Sequence, residues 1–190
     1  MSNNNLIFLG LTHGFLDDSK KLKEIFKKFH PKIILHESLE NKKLLFSKDY
    51  TIFLNKKTHS EMTSFLGIEE IVKFCYKNKV PLVGIDFENY SFSKELRNRI
   101  NSGKRTNLIN EIRIKKIIRK REKHHIKLIE KYNNLSAGPI LVCLGSWHLR
   151  RNSPIRKQFI GARIIFPADE KGNILTKPTK SKISYCEDIL

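Results

Sequence analysis

Five short apolar runs constrain the fold of this chain more than any other feature. They cover residues 6–9, 33–35, 80–85, 140–144 and 162–166, and stretches with helical spacing of apolar residues separate the first four. Apolar runs of this length are typical of strands that are buried on both faces. Strands that alternate with helices predict an α/β fold with a mainly parallel central sheet and helices on both faces. We expect a single domain over residues 1–168 and a polar C-terminal tail over residues 169–190.

The longest helical pattern covers residues 105–132, directly before the penultimate apolar run, and it is strongly basic. Arg121 and His125 share one face of this helix with its apolar residues, which are Ile114, Ile117, Ile118, Leu128, Ile129 and Tyr132. Two interpretations of Arg121 follow. Either its guanidinium lies over the strand ends and holds a substrate oxyanion or Glu37, or its aliphatic stem passes the edge of the core and the charge reaches solvent.

The charge balance leaves two classes of partner open. Lys and Arg number 37 against 19 acidic residues, which gives a formal net charge of +18. This excess indicates either a polyanion such as nucleic acid, bound through the basic helix, or a solvated surface that reflects a lysine-rich composition. The three cysteines are far apart and form no disulfide framework or zinc knuckle. Without a signal-peptide pattern or an apolar run of roughly 20 residues, the sequence predicts a cytoplasmic protein with no transmembrane segment.

Ionisable side chains follow four of the predicted strands. The first and fourth strands each end in a Gly-x-x-His pattern, Gly10 to His13 and Gly145 to His148, while Glu37 and Asp86 follow the second and third. Ligands of such sheets bind outside the carboxyl ends of the strands, so we expect these side chains to converge. The glycines would let the backbone turn sharply and approach a ligand.

Two histidines and a glutamate are a common ligand set for a catalytic metal. His13, Glu37 and His148 are therefore predicted to hold a divalent ion such as manganese, cobalt or zinc, or to hold and activate water directly. A metal-bound hydroxide would then attack a peptide or ester bond. Arg121 would stabilise the oxyanion, and Asp86 would orient a ligand or act as the general base.

The residues beside this set are candidates for contacting a peptide or small-molecule substrate. Glu88 follows Asp86 closely and is a second candidate for its role. Trp147 either stacks on the substrate or seals the core, and Arg150 follows the second histidine. Asp86 has an alternative role as a cap of its loop. His36 is predicted to be structural, because adjacent residues of a strand point to opposite faces.

The order of these motifs resembles the TraB/GumN/PrgY and Tiki superfamily, which is distantly linked to the erythromycin esterase and ChaN-like proteins. The resemblance covers residues 6–149: the opening strand with its Gly-x-x-His, the strand ending in Glu37, the strand ending in Asp86, and a helix followed by Gly-x-x-His-Leu. It implies a metal-dependent, protease-like site at His13, Glu37 and His148, and it matches the helix arginine to Arg121. The sequence departs from the family pattern at Asn41, at Phe87, and at Arg150 with its neighbour Arg151.

Three functions are consistent with these patterns. The first is a metal-dependent hydrolase, and the second is a nucleic-acid-binding protein that uses the basic helix. The third is a member of the same fold that binds a peptide or small ligand without turnover.

Overall fold

The computed structural model describes residues 3–11, 17–55, 65–101, 108–175 and 184–190 of the chain. The α-helices in these ranges are α1 (Asp17–Phe29), α2 (Ser47–Asn55), α3 (Phe65–Asn78), α4 (Lys94–Asn101), α5 (Leu108–Leu135) and α6 (Pro154–Gln158). The strands are β1 (Leu6–Leu11), β2 (Ile33–His36), β3 (Lys43–Leu44), β4 (Leu82–Gly84), β5 (Ile140–Gly145), β6 (Arg163–Ala168) and β7 (Ser184–Ile189). Short 3₁₀ turns at Glu37–Leu39, Glu88–Ser91 and Ser146–Leu149 follow strands β2, β4 and β5.

The strands form one sheet in the order β3-β4-β2-β5-β1-β6-β7. The five central strands are parallel, and only the two edge strands, β3 and β7, are antiparallel to their neighbours. The predicted fold class is therefore confirmed, and the long basic helix α5 directly precedes β5. Because β2, β4 and β5 are neighbours, their carboxyl ends lie side by side at one edge of the sheet.

Two apolar layers cover the sheet. Side chains of α1, α2 and α3 pack on one face against alternate residues of the strands, including Leu9, Ile34 and Cys143. Side chains of α5 and α6 pack on the other face against the residues between them, such as Phe8 and Val142. Strands buried on both faces need apolar residues at every position, which explains why the sequence shows continuous runs instead of alternation.

The last part of the chain, predicted to be a polar tail, contains an edge strand. Residues 184–189 form β7, which pairs with β6 along six residues. Most side chains of this edge strand are half-buried or exposed, so its sequence lacks the apolar run that marks the inner strands. Within the described ranges, no helix is both long enough and apolar enough to cross a membrane.

Candidate metal centre at the strand ends

The carboxyl ends of β2, β4 and β5 deliver three buried ionisable side chains to one place. Glu37 begins the 3₁₀ turn after β2, Asp86 lies two residues beyond β4, and His148 lies in the turn after β5. The structure therefore brings together three of the predicted residues. His13 lies outside the described residues, although Leu11, the last residue of β1, lies opposite Gly145 at this edge.

The middle of α5 covers these strand ends. Arg121, Glu122 and His125 are buried on its inner face, whereas most residues between and around them are half-buried or exposed. The placement of Arg121 and His125 on the apolar face, predicted from their spacing, is thus observed. One helix therefore adds three ionisable groups to a site that the strand ends begin.

Glu37, His125 and His148 form the centre of the site. Each offers one ligand atom, and these three atoms lie within 4.8 Å of one another. Nε2 of His148 is 3.7 Å from Oε2 of Glu37, and the rings of His125 and His148 meet edge to face with their centroids 5.1 Å apart. At most 4% of the surface of any of these residues is exposed. The groups are close enough to share a small ligand and are shielded from bulk water.

The first ion-pair chain supports His125 through Asp86. Nε of Arg121 donates to both carboxylate oxygens of Asp86, at 3.1 and 2.9 Å, and Nη2 donates to Oδ2 at 2.5 Å. Nε2 of His125 lies 3.1 Å from the same Oδ2. Burial alone would raise the pKa of the Asp86 carboxyl, but the contacts with His125 and Arg121 outweigh it and hold that pKa below its usual range. Asp86 is therefore ionised.

The second chain supports His148 through Glu122. Nδ1 of His148 lies 3.3 Å from Oε1 of Glu122, and Nη1 of Arg150 donates to that oxygen at 2.5 Å. Burial would raise the pKa of Glu122, but His148 and Arg150 together lower it. With Nδ1 directed at a carboxylate, Nε2 of His148 is left to face Glu37 and the centre of the site.

His125 has the features of a metal ligand. Burial is the main cause that lowers its pKa, nearby His148 adds to the effect, and Asp86 opposes it. The ring is therefore neutral at pH 7, as a ligand must be. Among the described residues Nδ1 of His125 has no hydrogen-bond partner, whereas Nε2 faces Oδ2 of Asp86. A buried nitrogen without a partner calls for a further ligand, such as an ion or water.

The donor set fits a divalent transition metal. Two neutral imidazoles and one carboxylate are the ligands of many catalytic zinc sites, and each imidazole here is backed by a buried acid. Manganese and cobalt accept the same nitrogen and oxygen donors. The residues of this cluster that could hold a metal are thus Glu37, His125 and His148.

Backbone packing fixes the position of Asp86. The backbone N–H of Asp86 donates to the carbonyl of Glu40 at 3.0 Å, and this carbonyl is pressed against Gly84. A Cβ at Gly84 would lie 2.7 Å from the carbonyl carbon of Glu40 and 2.8 Å from the carbonyl oxygen of Leu39. Only glycine allows this approach without a shift of the backbone. Gly84 therefore lets the backbone of Glu40, after β2, come close enough to bind the backbone N–H of Asp86, after β4.

An unusual turn places an aromatic ring against Arg121. Asn89, Tyr90 and Ser91 all have positive φ, between 49° and 60°, a conformation that costs non-glycine residues energy. The ring of buried Tyr90 lies 4.8 Å from the guanidinium carbon of Arg121. This contact covers the cation while Asp86 neutralises it.

The remaining predicted residues lie around this centre. Two of the three guanidinium nitrogens of Arg121 are committed to Asp86, so its observed contacts are those of a supporting residue. Trp147 does not seal the core, since 47% of its surface is exposed, and the guanidinium of Arg150 lies 5.1 Å from its ring. Glu88 is exposed, and in the described residues no contact joins it to the cluster.

Three further details bear on the predictions. Asp86 also accepts a hydrogen bond from the backbone N–H of Phe87 at 2.7 Å, so it caps its loop as well as pairing with Arg121. His36 is buried and its Nδ1 accepts from the backbone N–H of Ser38, which is the predicted structural role. Gly10 lies inside β1, where a Cβ would be 3.0 Å from Oγ of Ser146. Glycine is therefore needed here because β1 and the turn after β5 pack closely, and not because the chain turns at this position.

His125 and Glu122 are the site residues that the sequence analysis did not assign. His125 was placed on the inner face of the helix but given no ligand role, and Glu122 was not singled out. Their signal is the spacing of residues 122, 125 and 129, which puts an acid and a histidine on the face that carries buried Ile129. An acid on the buried face of a very basic helix needs a partner, which is here Arg150 with His148.

Comparison with known protein families, curated proteins and solved structures finds no match to this chain. The resemblance to the TraB and Tiki superfamily therefore stays a prediction.

Proposed function

We propose that the protein is a metal-dependent hydrolase that cleaves a peptide or ester bond at the cluster of Glu37, His125 and His148. The observation that supports this most is the convergence of three buried ligand atoms within 4.8 Å, two of them imidazole nitrogens and one a carboxylate oxygen. A divalent metal in such a site polarises a carbonyl and supplies hydroxide near neutral pH.

The surrounding residues have distinct roles in this proposal. Glu122 and Asp86 orient the two imidazoles, and Arg150 and Arg121 keep these acids ionised. Substrate approaches beside Trp147 and Arg150, because both are partly exposed and both adjoin His148 in the turn after β5. The exposed indole offers an apolar surface to a peptide or ester group. His13 is kept as a predicted additional ligand.

Metal content and the thermal midpoint with added manganese, cobalt or zinc test the metal site. At a metal concentration of about 100 Kd, binding adds about 2.7 kcal/mol to the free energy of unfolding. For a chain of this size that is a rise of roughly 5–10 °C in midpoint. The rise should disappear in His125→Ala and His148→Ala and shrink in Glu37→Gln.

His124→Ala is the matched control, because His124 is the neighbour of His125 on α5 but stacks on Phe87 outside the cluster. It should keep the metal response of the wild type. A wild type without any metal response would refute the proposal, as would a response that survives in both His125→Ala and His148→Ala. His13→Ala tests the remaining prediction, since a ligand at this position requires the response to fall.

A panel of ester and peptide reporter substrates then separates hydrolysis from binding. Metal-dependent turnover that is lost in His125→Ala supports the hydrolase. A metal response with no turnover on any substrate, together with saturable peptide binding, would favour the alternative of a ligand-binding protein without catalysis.

A further inference from the structure

The outward face of α5 carries a dense row of cations. Eight exposed Lys and Arg side chains lie on it: Arg113, Lys115, Lys116, Arg119, Lys120, Lys123, Lys127 and Lys131. Lys116, Lys120, Lys123, Lys127 and Lys131 follow one another at intervals of three or four residues, so they form a stripe along one side of the helix. From Lys116 to Lys131 this stripe is about 22 Å long, at 1.5 Å per residue.

These cations lack the acidic partners found on the opposite face of the molecule. Around α1, Lys21 pairs with Glu24 at 3.2 Å, Lys23 with Glu70 at 3.1 Å and Lys28 with Glu187 at 3.0 Å. In the part of the chain that the structure describes, none of the eight cations on α5 forms an ion pair. Glu130, an acid of the same helix, is bonded to Gln158 instead.

This difference bears on the origin of the charge. A lysine-rich composition would place lysines on every surface, and it accounts for those of α1. It does not account for one helix face that concentrates cations without acidic partners, because like charges three and four residues apart destabilise a helix. A face of this kind is complementary to a polyanion.

We infer that the outward face of α5 binds the phosphate backbone of double-stranded nucleic acid. A straight row of cations fits a regular line of phosphates, and such binding is independent of base sequence. Single strands are usually held by aromatic side chains that stack on bases, whereas Phe87, the aromatic ring beside the stripe, is covered by His124 at a centroid distance of 4.1 Å. The exposed large hydrophobic residues described on α5 are Ile112 and Leu135, near its two ends, so the stripe has no continuous apolar face beside it and a membrane surface is the poorer fit.

This surface is separate from the proposed metal centre. Arg121, Glu122 and His125 face the sheet from the inner side of α5, and the cations lie on its outer side. Replacing the cations therefore leaves the metal ligands and their supporting acids in place. The inference stands whether or not the site binds a metal.

A charge-matched pair of variants tests it. The first is Lys116→Gln with Lys120→Gln, Lys123→Gln and Lys127→Gln, which removes four charges from the stripe. The control is Lys20→Gln with Lys27→Gln, Lys48→Gln and Lys77→Gln, which removes four charges from exposed lysines of α1, α2 and α3. Both variants have the same net charge, and their circular dichroism and thermal midpoints should match those of the wild type.

Fluorescence anisotropy with a labelled 20-base-pair DNA duplex, measured from 50 to 200 mM salt, gives the affinity and its salt dependence. We expect wild-type binding that weakens steeply with salt, and a stripe variant whose log–log salt slope is smaller by up to about 3.6, since each of the four lost phosphate contacts contributes about 0.9. Its affinity at 50 mM salt should fall at least about tenfold. The control should stay within about twofold of the wild type.

Three outcomes would overturn the inference. One is a wild type that does not bind the duplex even at 50 mM salt, and another is an equal loss in both variants, which would show that only net charge matters. The third is stripe-dependent binding to phosphatidylserine vesicles with no binding to the duplex, which would identify a membrane surface as the partner.

Discussion

Two ion-pair chains meet at Glu37, and each consists of an acid, an arginine and a histidine. They differ in which element supplies the acid and which supplies the two basic residues. In the first, the strand end supplies the acid, Asp86, and α5 supplies Arg121 and His125. In the second, α5 supplies the acid, Glu122, and the turn after β5 supplies His148 and Arg150. The helix and the strand edge are thus joined by two carboxylates, one contributed from each side.

The two chains differ in their access to water. The side chain of Arg121 is 10% exposed and is covered by Tyr90, whereas that of Arg150 is 30% exposed and lies at the rim beside Trp147. If Asp86 is lost, the guanidinium of Arg121 has little access to solvent, but Arg150 can turn outward when Glu122 is lost. We therefore expect the ion pair of Asp86 and Arg121 to contribute more to the free energy of unfolding than the ion pair of Glu122 and Arg150, although each chain supports one imidazole.

The largest effect is expected for Asp86→Asn. The substitution keeps the shape of the side chain and its hydrogen bond to the backbone of Phe87, but it leaves the buried guanidinium of Arg121 without a counter-charge. Breaking one partner of a buried ion pair costs about 3–5 kcal/mol. Urea denaturation should show this as a lower midpoint with an unchanged slope.

A double-mutant cycle provides the control for this prediction. Arg121→Met in the Asp86→Asn background removes the unpaired charge, so the double variant should be more stable than the sum of the single effects implies. Additive effects would mean that Asp86 and Arg121 do not stabilise each other. The expected larger contribution of this ion pair to stability would then be wrong.

The next effect is expected at Gly84, which positions the first chain alone. Gly84→Ala forces the backbone of Glu40 to move and, with it, the carbonyl that accepts from Asp86, at a cost of about 1–3 kcal/mol. Gly138→Ala is the matched control, because a Cβ there would meet only the flexible side chain of Lys32 and should change stability by less than about 0.5 kcal/mol. Chemical denaturation of both variants measures the difference, and equal losses would exclude a special role for Gly84.

Glu122→Gln should have a smaller effect than Asp86→Asn, at about 1–2 kcal/mol. The amide still reaches His148 and Arg150, and the partly exposed guanidinium of Arg150 gains water in return for the lost charge. Arg150→Lys adds a second test, since a lysine cannot reproduce the forked contact with both oxygens of Glu122. Denaturation curves in which Glu122→Gln costs as much as Asp86→Asn would show that exposure at the rim does not matter.

The contrast between the chains also explains what the sequence could reveal. Glu37, Asp86 and His148 were predicted because each lies within four residues of the end of an apolar run, and a parallel sheet brings such positions together. Arg121 was predicted from helical spacing. These inferences depend on local sequence patterns, and such patterns can be recognised without knowledge of the tertiary fold.

The pairing of these residues could not be predicted in the same way. Which acid faces which histidine depends on the height at which α5 crosses the strand ends, and no local pattern determines this height. His125 and Glu122 therefore had no assigned role, although they lie on the predicted face. The edge strand β7 escaped prediction for a related reason, because its pairing with β6 depends on backbone hydrogen bonds more than on a buried apolar run.

The smallest effects are expected on acidification, which should distinguish the contributions of the two ion-pair chains to the free energy of unfolding. In chelator-treated protein, unfolded His125 takes up a proton near pH 6.5, while its lowered pKa keeps the folded ring neutral, so stability falls as the pH drops below that value. The pKa of Glu122 is also lowered from about 4.5, so its contribution is complete above that pH and is lost as the pH falls through the folded-state pKa. Each proton changes the free energy of unfolding by at most about 1.4 kcal/mol per pH unit.

The comparison of wild type with Glu122→Gln isolates the second chain. The stability difference between them should be constant from pH 7 to about pH 5.5 and should shrink as the pH falls below 4.5, because glutamine cannot titrate and protonated Glu122 resembles it. Urea midpoints measured across this range give the difference directly. A difference that grows on acidification would mean that Glu122 is protonated more readily in the folded protein than in the unfolded chain, and the ion pair with Arg150 would then not hold its charge.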